Sequence, residues 1–185
     1  QMRGGRLLIK GSAADWLACG MQGGDIHVYG DAADNAAGSL PGDRHGMTGG
    51  QVLVHGSVGA LSGSRMRRGL LAVGGNTGEA PGFELLAGTI LVAGQPGPHT
   101  GLGMQRGSIV LSGAIAHCGK NITCIPPTFI QGAIWRPHFI GLLRKQLADL
   151  GFPGIRNTAW TGPWQQWHGD TLVGSRGEIM TLVNP

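Results

Sequence analysis

The stretch Gly88-Thr-Ile-Leu-Val-Ala-Gly94 decides the fold, because five more segments of the chain have the same form. Each segment begins and ends with glycine and carries aliphatic residues two and four positions after the first glycine. Successive first glycines are 19, 26, 19, 19 and 19 residues apart, so one repeat contains an insertion. A repeat of this kind predicts an array of stacked short strands. The other copies are Gly5–Gly11, Gly24–Gly30, Gly50–Gly56, Gly69–Gly75 and Gly107–Gly113.

The aliphatic residues of the repeats predict the interior of the fold. Side chains alternate faces along a strand, so the two aliphatic positions share one face. A further row stands three residues before each first glycine and is mostly methionine, whose unbranched side chain fills irregular gaps in a core. We therefore expect an all-β fold, a right-handed parallel β-helix (solenoid) of about six 19-residue coils over residues 1–118. The predicted inward residues are Leu7/Ile9, Ile26/Val28, Val52/Val54, Leu71/Val73, Ile90/Val92, Ile109/Leu111, Met2, Met21, Met47, Met66, Leu85 and Met104.

The composition excludes two other classes of glycine-rich chain. The 185 residues include 36 glycines and only 13% charged residues. Apolar residues make up 41%, which is enough to form a core and argues against disorder. Glycine does not occupy every third position, so the chain is not collagen.

The middle residue of each strand points outward and is apolar in five of the six copies. A row of this length on a water-facing surface is typical of a covered surface. The covering element is either the C-terminal segment of the chain or a partner subunit, and the sequence leaves both open. The outward residues are Leu8, His27, Leu53, Ala72, Leu91 and Val110, of which Leu8, Leu53, Leu91 and Val110 are candidates for a partner interface.

The chain begins within a coil, since Met2 already occupies the methionine row ahead of Gly5. An exposed end of a stacked array leaves strand edges unpaired. We therefore expect further coils before Gln1, or another polypeptide that closes this end.

The repeat ends after Gly113, and residues 119–185 form a separate C-terminal segment. Apolar residues at helical spacing predict an amphipathic helix over about 137–150, lying on the solenoid or capping it. Three tryptophans in the following tail either pack on the body or dock on a neighbouring subunit, and we favour docking. They are Trp160, Trp164 and Trp167.

The sequence carries no recognisable catalytic motif, and its carboxylates are scattered. His117, Cys118 and Cys124 lack the ligand pairing of a structural zinc site, so we predict no metal, no bound cofactor and no catalytic residue. Cys19 falls in a coil and is expected to be buried. No signal peptide or membrane span is visible, and unpaired thiols favour the cytoplasm.

Basic residues cluster at one corner of the predicted coils. Arg65, Arg67 and Arg68 lie together, and Arg106 repeats the position of Arg68 two coils later. Such residues are either solvated or pair with an anionic ligand or an acidic partner. Nucleic acid is a poor candidate, because no aromatic residues are interleaved with the arginines.

The repeat resembles the GXGXG solenoid over roughly residues 2–116. That module occurs in the C-subunit family of formylmethanofuran dehydrogenase and at the C-terminus of glutamate synthase. Several stretches are most similar to the bacterial version of that subunit, which belongs to the formyltransferase/hydrolase complex, and the trailing helix also fits that version. They are Gly38-Ser-Leu-Pro-Gly42, His45-Gly-Met47, Gly63-Ser-Arg-Met-Arg-Arg-Gly69 and Gly97-Pro-His-Thr-Gly-Leu-Gly-Met104.

The resemblance implies a scaffold without catalytic residues, in a complex that moves a formyl group between tetrahydromethanopterin and a methanofuran-type carrier and releases formate. An amidohydrolase-like subunit would carry the metals and a separate subunit the formyltransfer. Carriers of that family can bear glutamate chains, which makes Arg65, Arg67 and Arg68 candidates for contacting an anion. The alternatives are a true formylmethanofuran dehydrogenase and the module of a glutamate synthase.

Overall fold

The computed structural model describes residues 1–113, 124–155 and 158–183. These residues contain nine β-strands, one α-helix and three short 3-10 helices. The strands are β1 (Arg6–Ile9), β2 (Asp25–Val28), β3 (Gln51–Val54), β4 (Leu70–Val73), β5 (Thr89–Val92), β6 (Arg106–Leu111), β7 (Ile130–Trp135), β8 (Trp164–Gly169) and β9 (Arg176–Leu182). The α-helix is α1 (His138–Asp149), and the 3-10 helices are Pro153–Ile155, Thr158–Thr161 and Thr171–Val173.

All nine strands belong to one mixed sheet in the order β1-β2-β3-β4-β5-β6-β9-β8-β7. The six repeat strands pair in parallel and in the register that the glycines predict, so that Val52, Leu71, Ile90 and Ile109 lie side by side. β9 extends this parallel array beyond β6, whereas β8 and β7 add antiparallel strands at the far edge.

The prediction of a right-handed parallel β-helix of six coils is therefore wrong. The sheet is open, with β1 at one edge and β7 at the other, and it is mixed. Between the strands, the connections of neighbouring repeats are joined by isolated bridges, such as Ala32 with Val58, and by further backbone hydrogen bonds, such as that from the amide of Asn35 to the carbonyl of Ala60 at 2.8 Å, but they form no further strands among the described residues. The error has a physical cause: the repeat specifies strand length, spacing and register, and these properties are common to an open sheet and a closed coil.

The predicted interior rows form one hydrophobic core on the inner face of the sheet. The aliphatic residues of β3 to β6 are fully buried, and so is the methionine row from Met47 to Met104. Residues from the connections, including Ala36 and Val58, pack against the same core. Only the first copy departs from the prediction, because Leu7 is 45% exposed.

The glycines that bound the strands have two roles in the fold. The first glycine of all six copies has a positive φ, for example +100° at Gly107. This is the left-handed region, which residues with a Cβ rarely adopt. The closing glycines allow close approach between neighbouring strands: a Cβ on Gly75 would lie 2.9 Å from the carbonyl carbon of Gly56.

The helix α1 packs on the outer face and forms a second core with it. α1 begins and ends one residue inside the predicted range, and Gly151 follows its end with φ +71°. Its buried residues are Ile140, Leu143 and Leu147, whereas Leu142 on the opposite side is 71% exposed. The sheet is thus covered by connections on one face and by the C-terminal segment on the other.

Candidate interaction surfaces

The outward row of the repeat strands is covered by the chain itself for most of its length. Leu53, Leu91 and Val110 have no exposed surface, and they share one cluster with the buried side of α1. Leu8 is the exception, with 54% of its surface exposed. Of the two coverings that the sequence leaves open, the C-terminal segment is therefore the one seen over these strands.

Both edges of the sheet expose large apolar side chains. At the first edge, Leu7, Leu8, Trp16 and Tyr29 are 37–54% exposed, and we call this set the β1 edge surface. At the other edge, Ile130, Ile134 and Trp135 are 42–60% exposed and form the β7 edge surface. Among the described residues neither edge strand has a second neighbour, so each presents unpaired backbone groups beside apolar side chains.

Two histidines, His27 and His55, lie near the border between the part of the outer face that the C-terminal segment covers and the exposed β1 edge surface. His27 pairs in register with Leu8 and Leu53, is only 5% exposed, and its Nε2 has no hydrogen-bond partner among the described residues. The Nε2 of His55 is also without a described partner, and its ring lies 4.6 Å from that of Tyr29 and 5.9 Å from that of Phe152. The sequence marks His27 as the one polar member of its row, but nothing marks His55.

Burial is the main reason that both histidines favour the neutral form. It lowers the pKa of His27, and the Arg6 charge lowers it further, whereas Asp25 acts in the opposite direction. Burial and then the proximity of His27 lower the pKa of His55. In the described part of the chain, neither Nε2 is hydrogen-bonded to a nucleophile or a carboxylate.

The three arginines of the predicted basic corner do not act as one group. The Nε of Arg65 donates to Oε2 of Glu84 at 2.7 Å, and its Nη1 donates to the carbonyl of Asp43 at 3.4 Å. Arg67 and Arg68 are exposed, and neither has an acidic partner in the described part of the chain. Arg65 thus serves an internal contact, and the other two remain open to an anion.

The tryptophans hold the C-terminal segment to the sheet. Trp160 and Trp164 are buried, with ring centroids 6.0 Å apart in an edge-to-face arrangement. Trp167 is half-buried in β8 and donates from Nε1 to Oγ1 of Thr181 in β9 at 3.1 Å. The tail therefore packs on its own sheet in this chain, and of the three rings only that of Trp167 retains appreciable exposure.

Most of the carboxylates that the structure describes have structural roles. Asp31 and Asp34 accept hydrogen bonds from backbone amides of the next connection, at 2.7 Å each. Asp170 accepts from the amides of Gly103 and Leu172, both at 3.0 Å. These hydrogen bonds tie successive connections together and hold the turn at Asp170.

The described residues contain no group of three or more histidine, cysteine or acidic side chains placed to hold a metal ion. His117 and Cys118 lie outside the described residues, and Cys124 is buried. Cys19 is half-buried rather than buried as expected, yet burial still raises the pKa of its thiol to about 11, so this cysteine is a poor nucleophile. Across residues 1–113, 124–155 and 158–183, no helix has the length and apolar character needed to cross a bilayer.

Comparison with known proteins gives one informative result. No family model and no curated protein matches the chain. A solved structure, the formyltransferase/hydrolase complex from Methylorubrum extorquens with methylofuran, contains a chain of the same fold, with a TM-score of 0.86 and 30% identity. This chain is similar to a subunit of that complex. The match covers 99% of this chain and 65% of the neighbour, so the chain spans less than two thirds of the neighbour's length.

Proposed function

We propose that this chain is a non-catalytic scaffold subunit of a formyltransferase/hydrolase complex, in one-carbon metabolism that oxidises formaldehyde to formate. The observation that carries the proposal is the similarity to a subunit of such a complex over 99% of the chain. The neighbour's complex was solved with methylofuran, which supports a methanofuran-type carrier for the reaction here as well.

The arrangement of polar groups supports a scaffold role. Most of the described carboxylates engage backbone amides or neighbouring side chains, and burial favours the neutral form of the buried His27 and the half-buried His55. We assign the metals, the tetrahydromethanopterin and the carrier to other subunits, an amidohydrolase-like one and a formyltransferase. This chain would contribute the surface on which they assemble.

The two edge surfaces are the contacts that we assign to those partners. Each combines exposed apolar side chains with unpaired strand edges, a combination typical of surfaces that bind another chain. An aspartate placed in such a contact leaves a buried, unpaired carboxylate. Every ~1.4 kcal/mol of that penalty weakens binding tenfold.

The test is affinity purification of the tagged chain from its native cell, followed by identification of the partners and an assay of formyltransferase and hydrolase activity. Wild type should bring down both activities. Ile134→Asp on the β7 edge surface and Leu8→Asp on the β1 edge surface should each recover at least tenfold less partner. Leu142→Asp is the matched control, because Leu142 is 71% exposed on α1 and belongs to neither surface.

Two results would contradict the proposal. If the wild-type chain recovers no formyltransferase or hydrolase, its role in such a complex is wrong. If His27→Leu in the assembled complex lowers kcat while partner recovery stays unchanged, the chain takes part in the chemistry and is not only a scaffold.

A further inference from the structure

Two arginines face each other at the start of neighbouring strands. Arg106 is the first residue of β6 and Arg176 the first of β9, and they are direct partners in the parallel register. Adjacent strands lie about 4.8 Å apart, and paired residues project from the same face of a sheet. The two guanidinium groups are therefore neighbours, and like charges placed opposite each other are destabilising.

No described carboxylate forms an ion pair with either arginine. Both arginines are exposed. Glu178, two positions after Arg176, accepts hydrogen bonds from Oγ of Ser108 at 2.6 Å and from Nε2 of Gln166 at 2.7 Å, and Asp170 accepts from the amides of Gly103 and Leu172, so both carboxylates are held by neutral donors. The sequence has no aspartate or glutamate at all between residues 85 and 148.

The pair lines a cavity of a size that suits a small ligand. Its volume is about 390 Å³, and small-molecule sites start at about 300 Å³. The turn after the last 3-10 helix closes one side, and the side-chain amide of Gln105 adds a further hydrogen-bond donor. The lining residues are Leu86, Gln105, Arg106, Val173, Gly174 and Arg176.

We propose that Arg106 and Arg176, with Gln105, bind a small doubly charged oxyanion, either a phosphate group or a dicarboxylate. A guanidinium matches the geometry of both groups with two parallel N–H donors, which makes these contacts stronger than a neutral hydrogen bond. Arg68 stands at the corresponding position two strands away, about 10 Å along the sheet, and is too distant to hold the same group. The site does not depend on the proposed scaffold role.

The test is isothermal titration of the full chain, with any partners that co-purify, using inorganic phosphate in one arm and succinate in the other at constant ionic strength. Arg106→Gln and Arg176→Gln should each weaken binding at least tenfold. Arg176→Lys should weaken it less, because it keeps the charge and loses the two-pronged contact. Arg3→Gln is the control, since it removes the same charge from an exposed position outside the cavity.

The relative affinities of the two probes tell which oxyanion the site prefers, and tight binding of either supports the proposal. Thermal unfolding is a second measurement, which shows whether a variant loses binding because it folds poorly. Without ligand at low salt, Arg176→Gln should have the same melting temperature as wild type or a higher one, because the change removes the repulsion between the two arginines. Phosphate should then raise the melting temperature of wild type alone. The proposal is overturned if neither probe binds wild type, if the Gln variants bind as tightly as wild type, or if chloride at equal ionic strength gives the same shift.

Discussion

Truncation of Leu147 to alanine tests the packing of α1 on the sheet. Leu147 has no exposed surface and belongs to the cluster that joins α1 to the outer row of the strands. Leucine-to-alanine changes in cores cost about 2.7–5.0 kcal/mol, because the lost transfer free energy adds to the cost of the cavity. α1 is a single helix at the periphery and can settle partly into the cavity, so we expect the lower part of this range, about 3 kcal/mol.

The matched control is Leu142→Ala on the same helix. Leu142 is 71% exposed, so its truncation removes little buried surface and should change the free energy of unfolding by no more than about 0.5 kcal/mol. The change in helix propensity is the same in both variants. The difference between them therefore measures the contact of α1 with the sheet, separate from the stability of the helix by itself.

The measurement is urea unfolding of the two variants and wild type, with free energies from linear extrapolation. For a chain of this size, about 3 kcal/mol corresponds to a fall in melting temperature of about 6–12 °C. If Leu147→Ala and Leu142→Ala agree within about 0.5 kcal/mol, α1 does not cover the outer row, and the outer face would have to be covered by another chain.

Three further predictions concern single residues. Because folding lowers the pKa of His27, the free energy of unfolding should fall as the pH drops below about 6.5, by at most about 1.4 kcal/mol per pH unit for one proton. In urea unfolding at pH 7.5 and 5.5, His27→Leu should reduce this pH dependence, and an unchanged dependence would contradict the prediction. Gly107→Ala should lower the free energy of unfolding by about 1–3 kcal/mol, since the φ of Gly107 is +100°. Gly141→Ala, in open space within α1, should raise it by up to about 1 kcal/mol, and equal effects of the two changes would contradict the argument from backbone conformation. Cys19, with a pKa of about 11, should alkylate at pH 7.5 many-fold more slowly than a thiol of ordinary pKa, and rapid labelling in peptide mapping would count against its burial.

The strand β9, the last of the parallel array, matches the repeat too weakly to be predicted from the sequence. Gly177 and Ile179 align with Gly107 and Ile109, so β9 repeats the start of the pattern. Its fourth position is Thr181 rather than an aliphatic residue, and no closing glycine follows. The glycine and isoleucine could have marked β9 as a strand, but two matching positions do not distinguish a repeat from chance.

Among the basic residues, contacts between neighbouring repeats could be predicted from the sequence, whereas contacts between distant segments could not. Arg65 and Glu84 are 19 residues apart, so the repeat spacing alone places them on neighbouring repeats and could have predicted their ion pair. Arg106 and Arg176 are 70 positions apart and meet only because β9 adds to β6. The sequence indicated a basic corner of Arg65, Arg67, Arg68 and Arg106. In the structure Arg65 forms an internal ion pair, Arg67 and Arg68 are exposed, and Arg106 lies beside Arg176, which the corner did not include.

Local patterns in the sequence were enough to predict the six repeat strands β1 to β6, their register, the inner core and α1, but not β7, β8 or β9. The strands, their register and the core follow from the aliphatic periodicity and the glycines of the aligned repeats, and α1 follows from apolar residues at helical spacing. Three features came from long-range contacts and not from the repeat: the open mixed sheet, the covering of Leu53, Leu91 and Val110 by α1, and the exposed apolar side chains at both edges among the described residues. These features depend on which distant segments of the chain pack against each other. Hydrophobic burial drives this packing, but it is non-directional, so several arrangements are consistent with the same pattern of apolar residues.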